Sequence, residues 1–106
     1  MPASHYSNVF APKGAIDLHV SPEIRASLRA MIDEKPKRLI VDLGEVPYID
    51  SSGLAVLIGA MQSLEHEGGI FMLANAQETV RTILESARLD QYFQLFSTVE
   101  EALSSA

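Results

Sequence analysis

The sequence contains no cysteine, which excludes disulfides, thiolate catalysis and any zinc or iron–sulfur site built on sulfur. Its longest apolar run, Gly53 to Met61, is about half of the ~20 residues needed to span a membrane. Met1 to Ala15 has no basic segment leading into an apolar one, so no secretory signal is expected. The cytoplasm is the default location on that ground. A basic excess is missing as well. The formal charge is −6, which argues against a nucleic-acid partner, whose phosphates demand a basic face.

What remains suits a folded domain. Apolar residues make up 47 % of 106 residues, enough for one core and too short a chain for two. A single domain over residues 1–106 is expected. The charge is unevenly spread: residues 1–41 hold six Lys/Arg against four Asp/Glu, and residues 42–106 hold two against ten. Such asymmetry suits steering toward a basic protein surface, and equally an acidic face kept for solubility.

Hydrophobic periodicity orders the chain. Asn8-Val9-Phe10-Ala11 is a short strand candidate that Pro12 confines to an edge or an end. Ser21 is placed to cap a helix, with Pro22 and Glu23 in its first turn. Ile24, Leu28, Met31 and Ile32 form its stripe, and Pro36 ends it. Leu39 to Leu43 reads as a strand covered on both faces. A second helix starts near Asp50-Ser51-Ser52, buries Leu54, Leu57, Ile58, Met61 and Leu64, and stops at Gly68-Gly69. Ile70 to Ala74 is the next strand. Asn75 with Glu78 reads as a capping box for a third helix, with Val80, Ile83, Leu84 and Ala87 inward. Tyr92 to Phe96 is a last strand, and Ser97 with Glu100 a capping box for a short helix, Val99 to Leu103. Strands alternating with helices predict an α/β domain with a mostly parallel mixed sheet and about four helices. Functional sites then belong at the carboxyl ends of strands.

Asp50-Ser51-Ser52-Gly53-Leu54 lies at such an end, where a helix begins. A hydroxyl there serves either as the helix cap or as a phosphoacceptor beside the positive end of the dipole. Other chemistry has weaker support. His5, His19 and His66 are scattered without metal-ligand spacing. Nothing in the spacing of Asp42 and Asp50 makes them an acid/base pair, and a structural role for Asp42 is preferred. A phosphate-cradling Gly-x-x-x-x-Gly-Lys loop is missing, so no cofactor is expected. Met31, Met61, Met72 and the Tyr92-Phe93…Phe96 cluster read as core.

The stretch Val46-Pro47-Tyr48-Ile49-Asp50-Ser51-Ser52-Gly53-Leu54 resembles the hallmark of the STAS domain of bacterial anti-sigma-factor antagonists. Gly14-Ala15-Ile16-Asp17 resembles the Gly-x-Leu-Asp before the family's first helix. Arg38 to Gly44, Gly68-Gly69, Leu89 to Phe96 and Glu101-Ala102-Leu103 resemble its central strand, its turn into the next strand, its closing strand and its last helix. The similarity covers roughly residues 14–103. It departs at the N-terminus, where 13 residues precede Gly14 in place of two family strands, and where Val9-Phe10-Ala11-Pro12-Lys13 matches poorly. A short or altered sheet edge near Asp17 is expected.

The resemblance implies a non-enzymatic partner-switching regulator of transcription. Ser51 would be phosphorylated by an anti-sigma factor that is itself a serine kinase, with Ser52 the lesser candidate, and a serine phosphatase would reverse the modification. Asp17, Asp50, Ser51, Ser52, Gly53 and Leu54 would contact the partner. Two further readings stand beside it. One is a STAS accessory subunit of a membrane lipid-transport (ABC-type) complex, bound to its ATPase without inserting in the membrane. The other is an enzyme with Ser51 as nucleophile, which lacks a base nearby in sequence.

Overall fold

The computed structural model describes residues 7–105; His5 lies outside them. The elements are β1 (Ser7–Phe10), α1 (Ser21–Asp33), β2 (Arg38–Asp42), α2 (Ser51–His66), β3 (Ile70–Ala74), α3 (Glu78–Ser86), β4 (Gln94–Phe96) and α4 (Val99–Ser104). The strands lie in chain order, β1-β2-β3-β4, and every described pairing is parallel. Each parallel neighbour requires a crossover, and α1, α2 and α3 supply them.

Register explains the two layers. Leu39 pairs with Phe71 and Val41 with Leu73, while Ile40 pairs with Met72 and Asp42 with Ala74. Because side chains alternate across a strand, the first set meets Leu28, Ile32, Leu57, Met61, Leu64, Val80 and Leu84 of the three crossover helices in the main core. The second set faces the other way. There Ile40, Met72 and Ala74 pack with Ala102, and with the partly buried Phe96 and Val99. The Arg38 guanidinium donates to the Leu103 and Ser105 carbonyls, tying the end of α4 to β2. Both faces of β2 are therefore covered, as its unbroken apolar run predicts.

The helix ends depart from expectation in instructive ways. Ser21 is not the cap of α1; it is the first helical residue, preceded by Val20, which makes no side-chain cap bond. Asp17 does that work from four residues upstream, its Oδ1 accepting from the His19 and Val20 amides while its carbonyl accepts from Val20 and Ser21. Asn75 does not cap α3. It adopts a left-handed conformation (φ 63°), its side-chain amide donates to Asp42 Oδ1 at 3.1 Å, and Gln77 takes the cap position without a side-chain cap bond. The shift comes from tertiary competition, since the Asp42 carboxylate at the neighbouring strand end claims the amide of Asn75.

Thr98, not Ser97, caps α4, accepting from the Glu101 amide at 3.0 Å. The acidic partner is accordingly Glu101 in place of Glu100, and its carboxylate accepts from the Ser97 amide. Ala87 is exposed, not inward, because α3 ends at Ser86. The last strand is three residues, starting after Tyr92 and Phe93. Phe93 is buried against Phe71, whereas Tyr92 is 47 % exposed and lies outside the core. Gly68, with φ 87°, ends α2 in the left-handed conformation expected of it.

Candidate functional site

The site lies where the loop from β2 enters α2, at the carboxyl end of the sheet. Two segments distant in sequence are stitched together here. The Gly14 amide donates to Glu45 O at 2.9 Å, Ile16 to Tyr48 O at 2.9 Å, and Asp50 to Ile16 O at 3.1 Å. Ile16 and Ile49 form an isolated parallel bridge, and both side chains are 1 % exposed. These buried isoleucines anchor a short ladder whose outer residues reach solvent. Next to Asp17 the two segments meet as the single bridge of Ile16 with Ile49 and not as a full strand.

Asp50 is the centre of the arrangement. Its backbone is extended and its side chain caps α2. Oδ1 accepts from the Ser52 amide (2.9 Å), the Ser52 hydroxyl (2.6 Å) and the Gly53 amide (3.1 Å). Oδ2 reaches the other segment and accepts from the Leu18 amide at 3.0 Å. The bond from the Ser52 hydroxyl, then those from the Gly53, Leu18 and Ser52 amides, hold the Asp50 carboxyl below its usual range, against a smaller opposing effect of desolvation. Each of these bonds favours the charged form, so Asp50 is an anion at neutral pH.

Together, Asp17 and Asp50 accept from three consecutive amides, those of Leu18, His19 and Val20. The tip between them is pinned from both sides and presents Leu18, 74 % exposed. A shallow hollow there is lined by Asp17, Leu18, His19 and Asp50. Tyr48, on the opposite segment of the ladder, is 48 % exposed. Leu18 and Tyr48 are apolar contact candidates that the motif reading passed over. Periodicity does not single them out, because they are exposed only through the tertiary pairing of two loops.

The capping role of Asp50 decides what each hydroxyl does. Ser52 is engaged with the carboxylate. Ser51, the first residue of α2, is exposed, and among the described residues its hydroxyl makes no hydrogen bond. Of the two openings left by the sequence, the cap position is taken by Asp50 itself.

Gly53 lets the segments approach. A Cβ placed on it would stand 2.7 Å from the Ile16 carbonyl oxygen and 2.7 Å from Ile49 Cγ2, well inside contact distance. Leu54 is half-buried and packs against the main core. The structure therefore gathers Asp17, Asp50, Ser51, Ser52, Gly53 and Leu54 at one place. Asp42 stands apart, its carboxylate accepting from the Gly44 amide and the Asn75 side chain, a structural set of bonds joining two strand ends. Among the described residues no group of three His, Asp or Glu side chains is placed to hold a metal ion, and no helix is long and apolar enough to cross a membrane.

Comparison with known proteins gives a consistent result. The STAS domain family model matches residues 2–102. An anti-sigma factor antagonist homologue of Thermotoga neapolitana is 32 % identical over 66 residues, 62 % of this chain and 58 % of its own length, so the match spans little more than half of that relative. The anti-sigma-F factor antagonist RsfB of Mycobacterium tuberculosis is 29 % identical over 91 residues, 86 % of this chain and 74 % of the relative. Among solved structures, the anti-sigma factor antagonist SpoIIAA in its unphosphorylated form superposes with a TM-score of 0.77 at 28 % identity, over 92 % of this chain and 86 % of that one. The Bacillus protein in its phosphorylated form gives 0.71 at 27 %, over 93 % and 89 %. A sulfate transporter family protein of Wolinella succinogenes shares the fold, with a TM-score of 0.81 at 23 % identity over 92 % and 82 %.

Proposed function

The chain belongs to the STAS domain family, and from that premise we propose that it is an anti-sigma-factor antagonist switched by reversible phosphorylation of Ser51. Unphosphorylated, it binds an anti-sigma factor that is also a serine kinase, through Asp17, Asp50, Ser51, Ser52, Gly53 and Leu54. Phosphorylated, it releases that partner, and a serine phosphatase resets it. The observation that carries this reading is the division of labour at the tip of α2: Asp50 caps the helix, leaving Ser51 exposed and unbonded. Similarity to SpoIIAA, solved both with and without phosphate, supports the same assignment.

The geometry also suggests how the switch acts. A phosphate at a helix start is normally drawn onto the free amides. Here the Ser52 and Gly53 amides already serve Asp50, so the phosphate has no cradle and stands outward. It adds about −1.5 to −2 charges beside an ionised carboxylate. Burying that charge unpaired in an interface costs several kcal/mol, and a 100-fold loss of affinity needs only about 2.7 kcal/mol. Repulsion and desolvation at the tip are enough; no refolding is required.

Intact-mass analysis after incubation with ATP and extract of the source cells tests this. One added phosphate is expected on the wild type and none on Ser51→Ala, while Ser52→Ala is modified like the wild type. Absence of phosphate on every form, with a competent extract confirmed, overturns the switch and favours a constitutive binding subunit of a membrane transport complex.

A further inference from the structure

We infer that the groove between α1 and α2 is a docking site for an acidic, amphipathic helical segment of a partner protein. The inference does not rest on modification of Ser51, which is not among the residues lining the groove.

The groove has a volume of ≈ 770 Å³. α1 and α2 both return between parallel strands, so they run in the same direction, and the Lys35–Glu67 ion pair (3.9 Å) joins their far ends. Along α1 the groove runs from Arg25 to Asp33, eight residues, about 12 Å at 1.5 Å per residue. That length suits about two turns of a third helix better than a compact anion.

Its charge is divided along that length. At the far end Lys35 is paired with Glu67, and Asp33 and His66 stand nearby on the lining. At the near end Arg25 and Arg29, exposed and one turn apart on α1, have no ion-pair or hydrogen-bond partner among the described residues. Two unpaired guanidiniums spaced by four residues match carboxylates spaced by three or four on a facing helix. In a chain of charge −6, this local positive pair is a departure from the background and selects for acidic partners.

The opposite wall is low enough for a helix backbone to approach. Ala55, Gly59 and Ser63 present small side chains from α2, and a Cβ added at Gly59 would meet nothing within 4 Å. Beneath, the buried Leu28, Ile32 and Val56 give the groove an apolar floor. Apolar contact along the floor and charge pairing at one end together define helix-in-groove recognition.

The probe is a capped 15-residue Ala/Leu peptide carrying Glu pairs four residues apart on one face. The readout is the NMR shift of the Arg25 and Arg29 side-chain Nε–H groups and the Gly59 and Ser63 amides. Saturable shifts at these groups are expected, with affinity falling about tenfold in the Arg25→Ala/Arg29→Ala double variant, in line with losing two exposed ion pairs. Gly59→Leu fills open space, so it should keep the fold by its melting temperature and abolish the shifts. Four results overturn the inference: no shifts at about millimolar peptide, equal shifts from a peptide with Gln for every Glu, or indifference to both sets of substitutions. The fourth is equal shifts from inorganic phosphate, which would make the arginines a simple anion site. Sedimentation equilibrium supplies one more decisive outcome: a dimer that dissociates in the double variant would assign the groove to a second copy of this chain.

Discussion

Gly53 and Gly59 lie on the same helix, six residues apart, and the same substitution to alanine should move stability in opposite directions. At Gly59 an added Cβ meets no atom within 4 Å, so the change brings only the helix propensity of alanine. That is worth about 0.8–1.0 kcal/mol in an exposed helix interior. At Gly53 the added Cβ lies 2.7 Å from a backbone oxygen, that of Ile16, and 2.7 Å and 2.9 Å from the Cγ2 atoms of Ile49 and Ile16. Backbone cannot swing aside as a flexible side chain does, so the ladder must open. Overpacking of this kind costs about 1–3 kcal/mol, and the propensity gain offsets only part of it. The expected net is destabilisation of up to about 2 kcal/mol, so that the two variants differ by about 1–3 kcal/mol. For a domain of this size each kcal/mol moves Tm by about 4–8 °C. Parallel urea titrations and thermal melts of the three proteins measure it directly. The consequence should extend to the site, because the Ile16 carbonyl displaced by Gly53→Ala accepts the Asp50 amide. Partner binding should therefore weaken in this variant even where it is still folded. A Gly53→Ala protein as stable as wild type would refute the close-approach argument, and a destabilised Gly59→Ala would refute the open groove.

Three further expectations concern the site and its supports. The Asp50 carboxyl lies below its usual value in the folded protein, so the unfolded chain takes up the proton first on acidification. The stability Asp50 confers is therefore full above the ordinary carboxylate range and is lost as pH falls through about 4 and below; Asp50→Asn should flatten the Tm-against-pH curve there, and an unchanged slope would count against the capping role. Asn75→Ala removes the bond to Asp42 and forces alanine into the left-handed region, which should cost about 1–2 kcal/mol by denaturant titration; Asn75→Gly should recover part of that loss. Leu18→Ala and Tyr48→Ala remove exposed side chains, so stability should stay within about 0.5 kcal/mol while affinity for the proposed anti-sigma partner falls about tenfold by calorimetry. Unchanged affinity in both would place the partner elsewhere.

Much of the fold is legible in the chain itself, for reasons that are local. The apolar run Leu39 to Leu43 and the β-rich Ile70 to Ala74 are short and covered on both faces, which leaves little besides a parallel strand to make of them. The stripes Leu28–Ile32 and Leu57–Met61–Leu64 recur at helical spacing and are buried as that spacing requires. The alternation of the two patterns implies crossovers, and the crossovers bring Asp50 to Leu54 to the strand ends. That segment stands out as a candidate site because an acid, two hydroxyls and a glycine sit where a helix begins.

The tertiary structure decided which polar atom meets which. Asp, Ser, Asn and Thr can each satisfy a helix start, and the winner depends on competing partners that periodicity does not encode. Thus Asp17 displaced Ser21, Asp42 drew Asn75 away from α3, and Thr98 preceded α4 in place of Ser97. The same competition placed the cap of α2 on Asp50 and left Ser51 open to solvent. It was settled by a contact across 32 residues of sequence: the Leu18 amide holds the second oxygen of Asp50, so one carboxylate caps a helix and clasps a distant loop at once. The residue types came from the sequence. Their division into cap, clasp and free hydroxyl is a property of two segments that become neighbours only when the sheet forms.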